Sequence, residues 1–207
     1  MQTAAILAGG RARRLGGLDK SRLVIGGRTI LQRQIELLQG LVDRVIVVAD
    51  ESGRFAGAGV PVVPDARPGC GSLGGIYTAL AGADSPVLVL ACDMPFVTAP
   101  FLSRVLEAGR DADIAIPRAR DGYHPLCACY GPACAAPILR RMDAGAFKVM
   151  DLLSDVRVRE IGPDEVAAFD MDGLLLLNVN TPDDLARADR ACAARDRTPV
   201  SRERAVG

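Results

Sequence analysis

The sequence has few aromatic residues, no tryptophan and no net charge. Aromatic residues make up 4% of its 207 residues, and 25 Lys and Arg balance 25 Asp and Glu. A protein that binds nucleic acid through its phosphates needs an excess of positive charge, and one that stacks on single-stranded bases needs aromatic rings. The composition therefore predicts no nucleic-acid partner.

Long hydrophobic runs are also missing. Apolar stretches such as residues 86–92 and 174–177 fall far short of the roughly 18 residues of a transmembrane helix. The first residues carry no basic stretch, and Gly9 interrupts the apolar run that follows them, so they do not resemble a signal peptide. We expect a cytoplasmic protein with no membrane partner.

Cysteine is present but not in the spacing of a zinc site. Cys127, Cys129 and Cys134, with His124, are candidates for a structural metal, yet the pair is Cys-x-Cys and no second pair follows. Cys127 and Cys129 also alternate with Ala128 in a strand-like run, where thiols behave as small hydrophobic groups. We favour buried free thiols over a metal centre.

Short strand-like runs alternate with stretches of helical periodicity. Apolar residues are 49% and charged residues 24% of the chain, which is typical of a folded protein. Continuous apolar strands separated by helices indicate a mainly parallel sheet covered on both faces, so we predict an α/β fold with a three-layer αβα sandwich. The predicted strands are residues 3–8, 44–49, 60–63, 86–92, 113–116, 156–161 and 174–179.

Helices are predicted at residues 73–83 and 98–108, and after Thr181, where a proline and two aspartates form a typical first turn. We predict a single domain over residues 1–194. Residues 195–207 are polar and lack apolar periodicity, so we expect a disordered tail. Residues 124–130 and the helix after them are predicted to form an inserted or appended lobe.

A glycine-rich, basic loop follows the first strand. Residues 11–22 contain five cationic residues against one aspartate, although the whole chain is neutral. Glycines allow backbone N–H groups to approach an anion, and the carboxyl edge of a sheet is where open α/β folds bind ligands. The loop does not fit the Walker A pattern. It predicts a triphosphate site in which Gly9 and Gly10 supply backbone donors, and Arg14 and Lys20 supply positive charge.

Five motifs occur along the chain in this order: Leu7-Ala8-Gly9-Gly10, Arg14-Leu15-Gly16-Gly17-x-Asp19-Lys20, Cys92-Asp93-Met94-Pro95, His124-Pro125-Leu126 and Asn178-Val179-Asn180-Thr181-Pro182. In kind and order they resemble the motifs of the molybdenum cofactor guanylyltransferases, and the resemblance extends over most of the chain, to about residue 194. It implies a Rossmann-like fold of the nucleotide-diphospho-sugar transferase (GT-A-like) type. It also implies the transfer of GMP from GTP to molybdenum-molybdopterin, with release of pyrophosphate.

Asp93 is the candidate metal ligand. It follows an apolar strand and precedes a turn, so its carboxylate projects from the carboxyl edge of the sheet, where one carboxylate with substrate phosphates usually holds Mg²⁺. The resemblance assigns it the same role and makes Mg²⁺ the expected cofactor. We expect Arg14, Lys20 and Asp93 to be catalytic. The resemblance also makes Asp65, at the end of the third strand, a nucleotide contact. The expected GTP-binding residues are therefore Leu7, Ala8, Gly9, Gly10, Lys20, Asp65 and Asp93.

The acceptor side is predicted from the end of the last strand. Asn178 and Asn180 are two residues apart and would share one face there, where their amides could bind a pterin or its phosphate. The resemblance also places these asparagines near the acceptor, together with Gly17 and Gly71. A phosphate nucleophile is already anionic, so the reaction has little need of a general base. We therefore expect His124 to have an orienting or structural role.

Alternative functions remain open on the sequence. Residues 69–74 form a Gly-x-Gly-x-x-Gly pattern, which favours NAD binding, but residues 64–68 separate it from the preceding strand.

A second alternative is another nucleotidyltransferase, which would use CTP on molybdopterin or act on a sugar phosphate. At position 48, where a related enzyme would offer the nucleotide a polar contact, this chain has the apolar Val48. A third alternative is a non-catalytic nucleotide sensor. It would need the same phosphate loop but no metal-binding carboxylate, so the presence of Asp93 argues against it. Lys148 is a candidate anion contact or a solvated lysine. Candidate protein partners deliver molybdopterin or receive the product.

Overall fold

The computed structural model describes residues 1–8, 11–12, 18–19, 23–50, 55 and 57–197, with the backbone alone at 11–12, 18–19 and 196–197. The strands are β1 Thr3–Leu7, β2 Arg11–Ala12, β3 Leu18–Asp19, β4 Val24–Ile25, β5 Arg28–Thr29, β6 Arg44–Ala49, β7 Val62–Pro64, β8 Val87–Ala91, β9 Ile114–Ala119, β10 Gly122–Tyr123, β11 Cys127–Tyr130 and β12 Val158–Ile161. The α-helices are α1 Ile30–Gln39, α2 Gly71–Leu80, α3 Ala99–Ala108, α4 Ala135–Asp143, α5 Pro163–Ala167 and α6 Pro182–Arg197.

The central sheet is mainly parallel, as predicted. Its order is β10-β9-β11-β8-β1-β6-β7, and β12 pairs in parallel with β9. Leu7 of β1 pairs with Val48 of β6 and with Ala91 of β8, all in parallel strands. The carboxyl ends of these three strands therefore meet at one edge. Two short hairpins, β2–β3 and β4–β5, lie outside the central sheet.

Helices cover the sheet on both faces because its strands are apolar on both sides. All five residues of β8 are buried, with Leu88 and Leu90 in one core layer and Val87 and Val89 in the other. The first layer packs against α1 and α3, and the second against α2 and α4. Burial of one such side chain contributes about 1.5–3 kcal/mol, so this double-sided sheet is the main source of stability. The predicted α/β sandwich is confirmed.

The predicted lobe at residues 124–130 is wrong. β11 lies inside the central sheet, where it pairs antiparallel with β8 on one side and with β9 on the other. All four of its side chains are buried. A strand with neighbours on both sides needs apolar residues on both faces, which the run Cys127-Ala128-Cys129-Tyr130 supplies.

The predicted strand at residues 174–179 is also wrong. The Asp170 carboxylate accepts hydrogen bonds from the N–H groups of Leu174 and Leu175 (2.9 and 3.0 Å), and Leu177 N–H donates to the Leu174 carbonyl. These bonds fold the apolar run into a buried turn, and no strand is assigned there. Burial alone produced the strand-like pattern.

The last helix starts where the sequence predicts. Thr181 Oγ1 accepts from Asp184 N–H (3.2 Å), and Asp184 Oδ2 accepts from Thr181 N–H (2.8 Å), so the two residues form a capping box. The helix continues to Arg197, past the predicted domain end at 194. Arg195 pairs with Asp172 (2.7 Å) and lies over the Phe96 ring. The tail from residue 198 lies outside the described residues. In the part of the chain that the structure describes, none of the helices combines the length and the apolar composition of a membrane span.

Candidate active site at the carboxyl edge of the sheet

A cavity of about 420 Å³ opens at the edge where β1, β6 and β8 end. Its size falls in the range of small-ligand sites. Leu7, Ala91 and the start of α2 form part of its wall, and three carboxylates also line it: Asp50, Asp65 and Asp93. The carboxyl edge of a largely parallel sheet is the place where the sequence predicts the site.

Asp93 is held in this wall by contacts on both sides of it. Its side chain is only 7% exposed. The buried amide of Gln34, on α1, donates to the carbonyl oxygens of Ala91 and Met94 at 2.8 and 3.0 Å, which fixes the turn after β8. The backbone carbonyl of Asp93 accepts from Val179 N–H at 2.8 Å. The structure therefore presents the Asp93 carboxylate on a rigid turn beside the cavity.

Asp65 follows β7 directly and lines the same cavity as Asp93. Its N–H donates to the Ala49 carbonyl, which continues the pairing of β7 with β6 by one residue. Its Oδ1 accepts from Arg67 N–H (2.9 Å) and lies 3.0 Å from the hydroxyl of Thr78 on α2. The carboxylate is thus held in place by its own turn and by the neighbouring helix.

Glycines in the first turns of α2 bring this helix close to β1 and to the connection that follows β7. A Cβ on Gly74 would lie 2.7 Å from the Arg67 carbonyl oxygen and 3.1 Å from the Asp65 carboxylate. A Cβ on Gly75 would lie 3.2 Å from the Leu7 side chain. Gly71, predicted near the acceptor, lines the same cavity as Leu7 and Asp65, and its contact with the acceptor stays a prediction. Its φ of +60° at the start of α2 is a conformation that favours glycine.

The same geometry argues against dinucleotide binding. That fingerprint needs a tight turn directly between a strand and a helix. Here β7 ends at Pro64 and α2 begins at Gly71, and residues 65–70 form the connection between them. Gly74 and Gly75 instead allow close packing of α2 on the sheet.

The predicted phosphate loop lies mostly outside the described residues. Leu7 lines the cavity, and buried Ala8 donates its N–H to the Val48 carbonyl. Leu7 thus lies at the cavity and Ala8 follows it in the chain, and the GTP-binding role of both residues stays a prediction. The other predicted residues of this loop lie outside the described part of the chain, and their roles stay predictions: Gly9, Gly10, Arg14, Gly17 and Lys20.

Asn178 and Asn180 approach the site without belonging to a strand. Both are half-buried, and Val179 between them is fully buried. The bond from Val179 N–H to the Asp93 carbonyl places the two asparagines beside the proposed metal ligand. Asn178 Nδ2 donates to the Leu176 carbonyl (3.4 Å), and Asn180 N–H donates to Asp184 Oδ2 (3.0 Å). Residues 174–179 form no strand, so the shared face predicted for the two asparagines is not produced by strand geometry. A backbone contact brings this segment to Asp93, and the acceptor role of Asn178 and Asn180 stays a prediction.

His124 and Lys148 lie in different surroundings. His124 is 9% exposed, its N–H donates to the Pro117 carbonyl, and its Nε2 lies 3.2 Å from Asp121 Oδ1. These contacts stabilise the turn before β11, in agreement with an orienting or structural role. The Lys148 side chain is 73% exposed and lies 3.8 Å from Asp151.

The clustered cysteines are buried in the core. Cys127 and Cys129 belong to one core layer and Cys134 to the other, and all three are 0% exposed. Burial raises the pKa of each thiol to about 12. Among the described residues, no group of three or more His, Cys, Asp or Glu is arranged to hold a metal ion.

Sequence reasoning missed two buried polar residues that hold the site. Gln34 occupies a core position on α1 between Leu31 and Leu38, and it is 1% exposed. Thr78 is 5% exposed on the core side of α2. A polar residue at a core position of an amphipathic helix is the signal that identifies both, because a buried polar group needs a partner.

Comparisons with known proteins agree with this geometry. Residues 4–159 match the MobA-like NTP transferase domain family. A molybdenum cofactor guanylyltransferase from Cereibacter sphaeroides (strain ATCC 17029 / ATH 2.4.9) is 36% identical over 191 residues, covering 89% of this chain and 93% of the relative. One from Desulfosudis oleivorans is 30% identical over 194 residues, covering 93% and 96%. The crystal structure of molybdopterin-guanine dinucleotide biosynthesis protein A from Archaeoglobus fulgidus aligns with TM-score 0.83 and 27% identity, covering 93% of this chain and all of that one.

Proposed function

Because the chain belongs to the MobA-like NTP transferase family and resembles its molybdenum cofactor guanylyltransferases over nine-tenths of its length, we propose that it transfers GMP from GTP to molybdenum-molybdopterin. The observation that carries this proposal is the cavity at the carboxyl edge of the sheet. Asp65 and Asp93 line it, and the Asn178–Asn180 segment contacts the backbone of Asp93.

The reaction joins two anions. The terminal phosphate of molybdopterin attacks the α-phosphorus of GTP, a new P–O bond forms, and the bond to the β-phosphate breaks to release pyrophosphate. The nucleophile is already anionic near neutral pH, so it needs no general base. The protein must therefore align the two substrates and offset their negative charge. We assign the positive charge to Arg14 and Lys20 and the backbone donors to Gly9 and Gly10.

Nucleotide and acceptor are assigned to different sides of Asp93. We place the nucleoside near Leu7 and Asp65, since both line the cavity together with the start of α2. We place the acceptor near Asn178 and Asn180, because Val179 between them is hydrogen-bonded to the backbone of Asp93. This arrangement puts the reacting phosphates between the two groups of residues, near the Asp93 carboxylate.

We propose Mg²⁺ as the metal of this reaction. Carboxylate oxygens are the ligands that Mg²⁺ prefers, and this ion is usually held by one or two carboxylates together with substrate phosphates. Asp93, whose carboxylate lines the cavity, would hold it. When bound, Mg²⁺ would offset phosphate charge and orient the leaving pyrophosphate.

The test compares pyrophosphate release from GTP, CTP, ATP and UTP, each with and without molybdopterin. The proposal expects release from GTP that depends on molybdopterin and on Mg²⁺. Release from CTP alone would overturn the choice of base, and release without molybdopterin would overturn the choice of acceptor. Full activity in the presence of a chelator would remove the metal from the proposal.

A further inference from the structure

The buried hydroxyl of Thr78 joins three parts of the nucleotide wall. Its Oγ1 accepts from Ala66 N–H at 2.9 Å, and it lies 3.0 Å from Asp65 Oδ1 and 2.9 Å from the Gly74 carbonyl. Threonine on a helix commonly donates to the carbonyl four residues before it. Here a carboxylate is within reach as well, and an ionised acceptor forms the stronger hydrogen bond.

The two carboxylate oxygens of Asp65 differ in their hydrogen bonds. Oδ1 is engaged by Arg67 N–H and by the Thr78 hydroxyl. In the described part of the chain, no hydrogen bond ends on Oδ2. Asp65 lines the cavity. The carboxylate is therefore held at one oxygen and leaves the other available to a ligand.

We propose that Thr78 is a positioning residue for the nucleotide: it holds Asp65 Oδ1 so that Oδ2 is presented to GTP as a fixed acceptor. This inference rests on the function proposed above. A negatively charged acceptor attracts a hydroxyl or N–H donor of the nucleoside and repels the phosphates. It therefore favours the orientation in which the nucleoside of GTP faces Asp65 and the phosphates point away from it. Thr78 does not touch the ligand itself but acts through Asp65.

Preorganisation is the physical gain. A free aspartate side chain would lose rotational freedom when GTP binds, and Thr78 and the Arg67 N–H remove that freedom beforehand. Loss of the hydroxyl should therefore weaken GTP binding and raise KM, with little effect on kcat. A purely structural role predicts a different pattern, a lower melting temperature with unchanged affinity in the folded protein.

The experiment measures the Kd of GTP by calorimetry, together with kcat, KM and Tm. Thr78→Val removes the hydroxyl at constant shape, and Thr78→Ser restores it. Thr98→Val is the matched control, because the Thr98 hydroxyl makes no capping hydrogen bond at the start of α3. Asp65→Ala and the double variant Asp65→Ala/Thr78→Val complete a double-mutant cycle.

We expect Thr78→Val to raise the Kd of GTP roughly five- to tenfold, the loss of a hydrogen bond to a charged group, while Thr78→Ser stays within about twofold. In the Asp65→Ala background the valine substitution should add almost nothing. An unchanged Kd in Thr78→Val, or an equal weakening in the Asp65→Ala background, overturns the inference. Wild-type protein that does not bind GTP overturns the proposed function instead.

Discussion

The backbone N–H of Val179 donates to the carbonyl oxygen of Asp93 over 2.8 Å. Through this bond the asparagine segment before α6 lies against the turn after β8, although the two are far apart in the sequence. Asp93 carries the proposed metal ligand, and the residues flanking Val179 are the proposed acceptor contacts. One hydrogen bond thus joins the two halves of the proposed reaction site.

Replacement of Asp93 tests the metal assignment. Asp93→Asn keeps the shape of the side chain and removes its charge, so we expect a folded protein whose kcat falls by about a hundredfold or more. Pyrophosphate release and thermal melting would be measured on the same preparation. Asp50→Asn is the matched control, since Asp50 is an exposed carboxylate of the same cavity wall. Normal turnover by Asp93→Asn with Mg²⁺ present would contradict the assignment.

Gln34 supports Asp93 from α1. Gln34→Leu leaves the buried carbonyls of Ala91 and Met94 without their donor, which should lower the free energy of unfolding by about 2 kcal/mol. The turn that carries Asp93 would also lose its anchor, so kcat should fall in the protein that remains folded. Denaturant titration and steady-state rates would measure both effects. Gln39→Leu, at an exposed position of the same helix, should change neither.

Gly74 tests the close approach of α2 to Asp65. Gly74→Ala places a methyl group against the Arg67 carbonyl and the Asp65 carboxylate, and such overpacking typically costs about 1–3 kcal/mol. Displacement of Asp65 should also weaken GTP binding. Gly40→Ala is the control, because a Cβ there would have only an ordinary contact, at 3.5 Å from the Leu37 carbonyl. Equal GTP affinity and Tm for Gly74→Ala and wild type would show that the approach is unimportant.

Acid should destabilise the start of α6. Burial raises the pKa of Asp184, but hydrogen bonds from Asn180 and Thr181 outweigh it, so the net pKa lies below the ordinary 3.8. A carboxylate with a lowered pKa stabilises the fold above its unfolded pKa and loses this effect as the pH falls through the folded value.

We therefore expect Asp184→Asn to lower the Tm at neutral pH and to reduce the loss of Tm below about pH 4. Asp183→Asn removes the same charge from the same helical turn and serves as the control. Melting curves between acidic and neutral pH would measure the difference. Parallel pH profiles for wild type and Asp184→Asn would argue against the capping role.

The cysteines should differ in reactivity. Cys70 is half-buried next to the cavity, whereas Cys127, Cys129 and Cys134 are buried and burial raises their pKa to about 12. Because the thiolate is the reactive form, these three should resist a thiol reagent at pH 8 until the protein unfolds. Cys70→Ala should remove the fastest labelling phase. Rapid labelling of the three in native protein would contradict their burial.

Much of the fold could be predicted because burial leaves a local pattern. The strand at residues 44–49 agrees with β6 in both bounds, and β1, β8 and α3 agree to within a residue or so at each end. The Thr181 cap was predicted from three neighbouring residues, since a capping box is a local interaction. The glycine motif and Asp93 were identified because each follows a buried strand.

The errors arose where distant contacts decide the structure. The apolar run at 174–177 is buried as a turn because Asp170 supplies hydrogen bonds, and no hydrophobic pattern distinguishes such a turn from a buried strand. The run at 127–130 was correctly expected to be strand-like, but its place between β8 and β9 depends on pairing with strands elsewhere in the chain.

The sequence by itself determined the α/β class, the family and the residues that carry the proposed chemistry, because these depend on periodicity and on motifs of neighbouring residues. Its neutral total charge and scarce aromatic residues also predicted that nucleic acid is not the partner. Only the tertiary structure placed Gln34 beneath Asp93, Thr78 beside Asp65 and Val179 against Asp93. Each of these placements depends on one or two hydrogen bonds between segments that are separate in the chain, and no local pattern records which buried donor meets which acceptor.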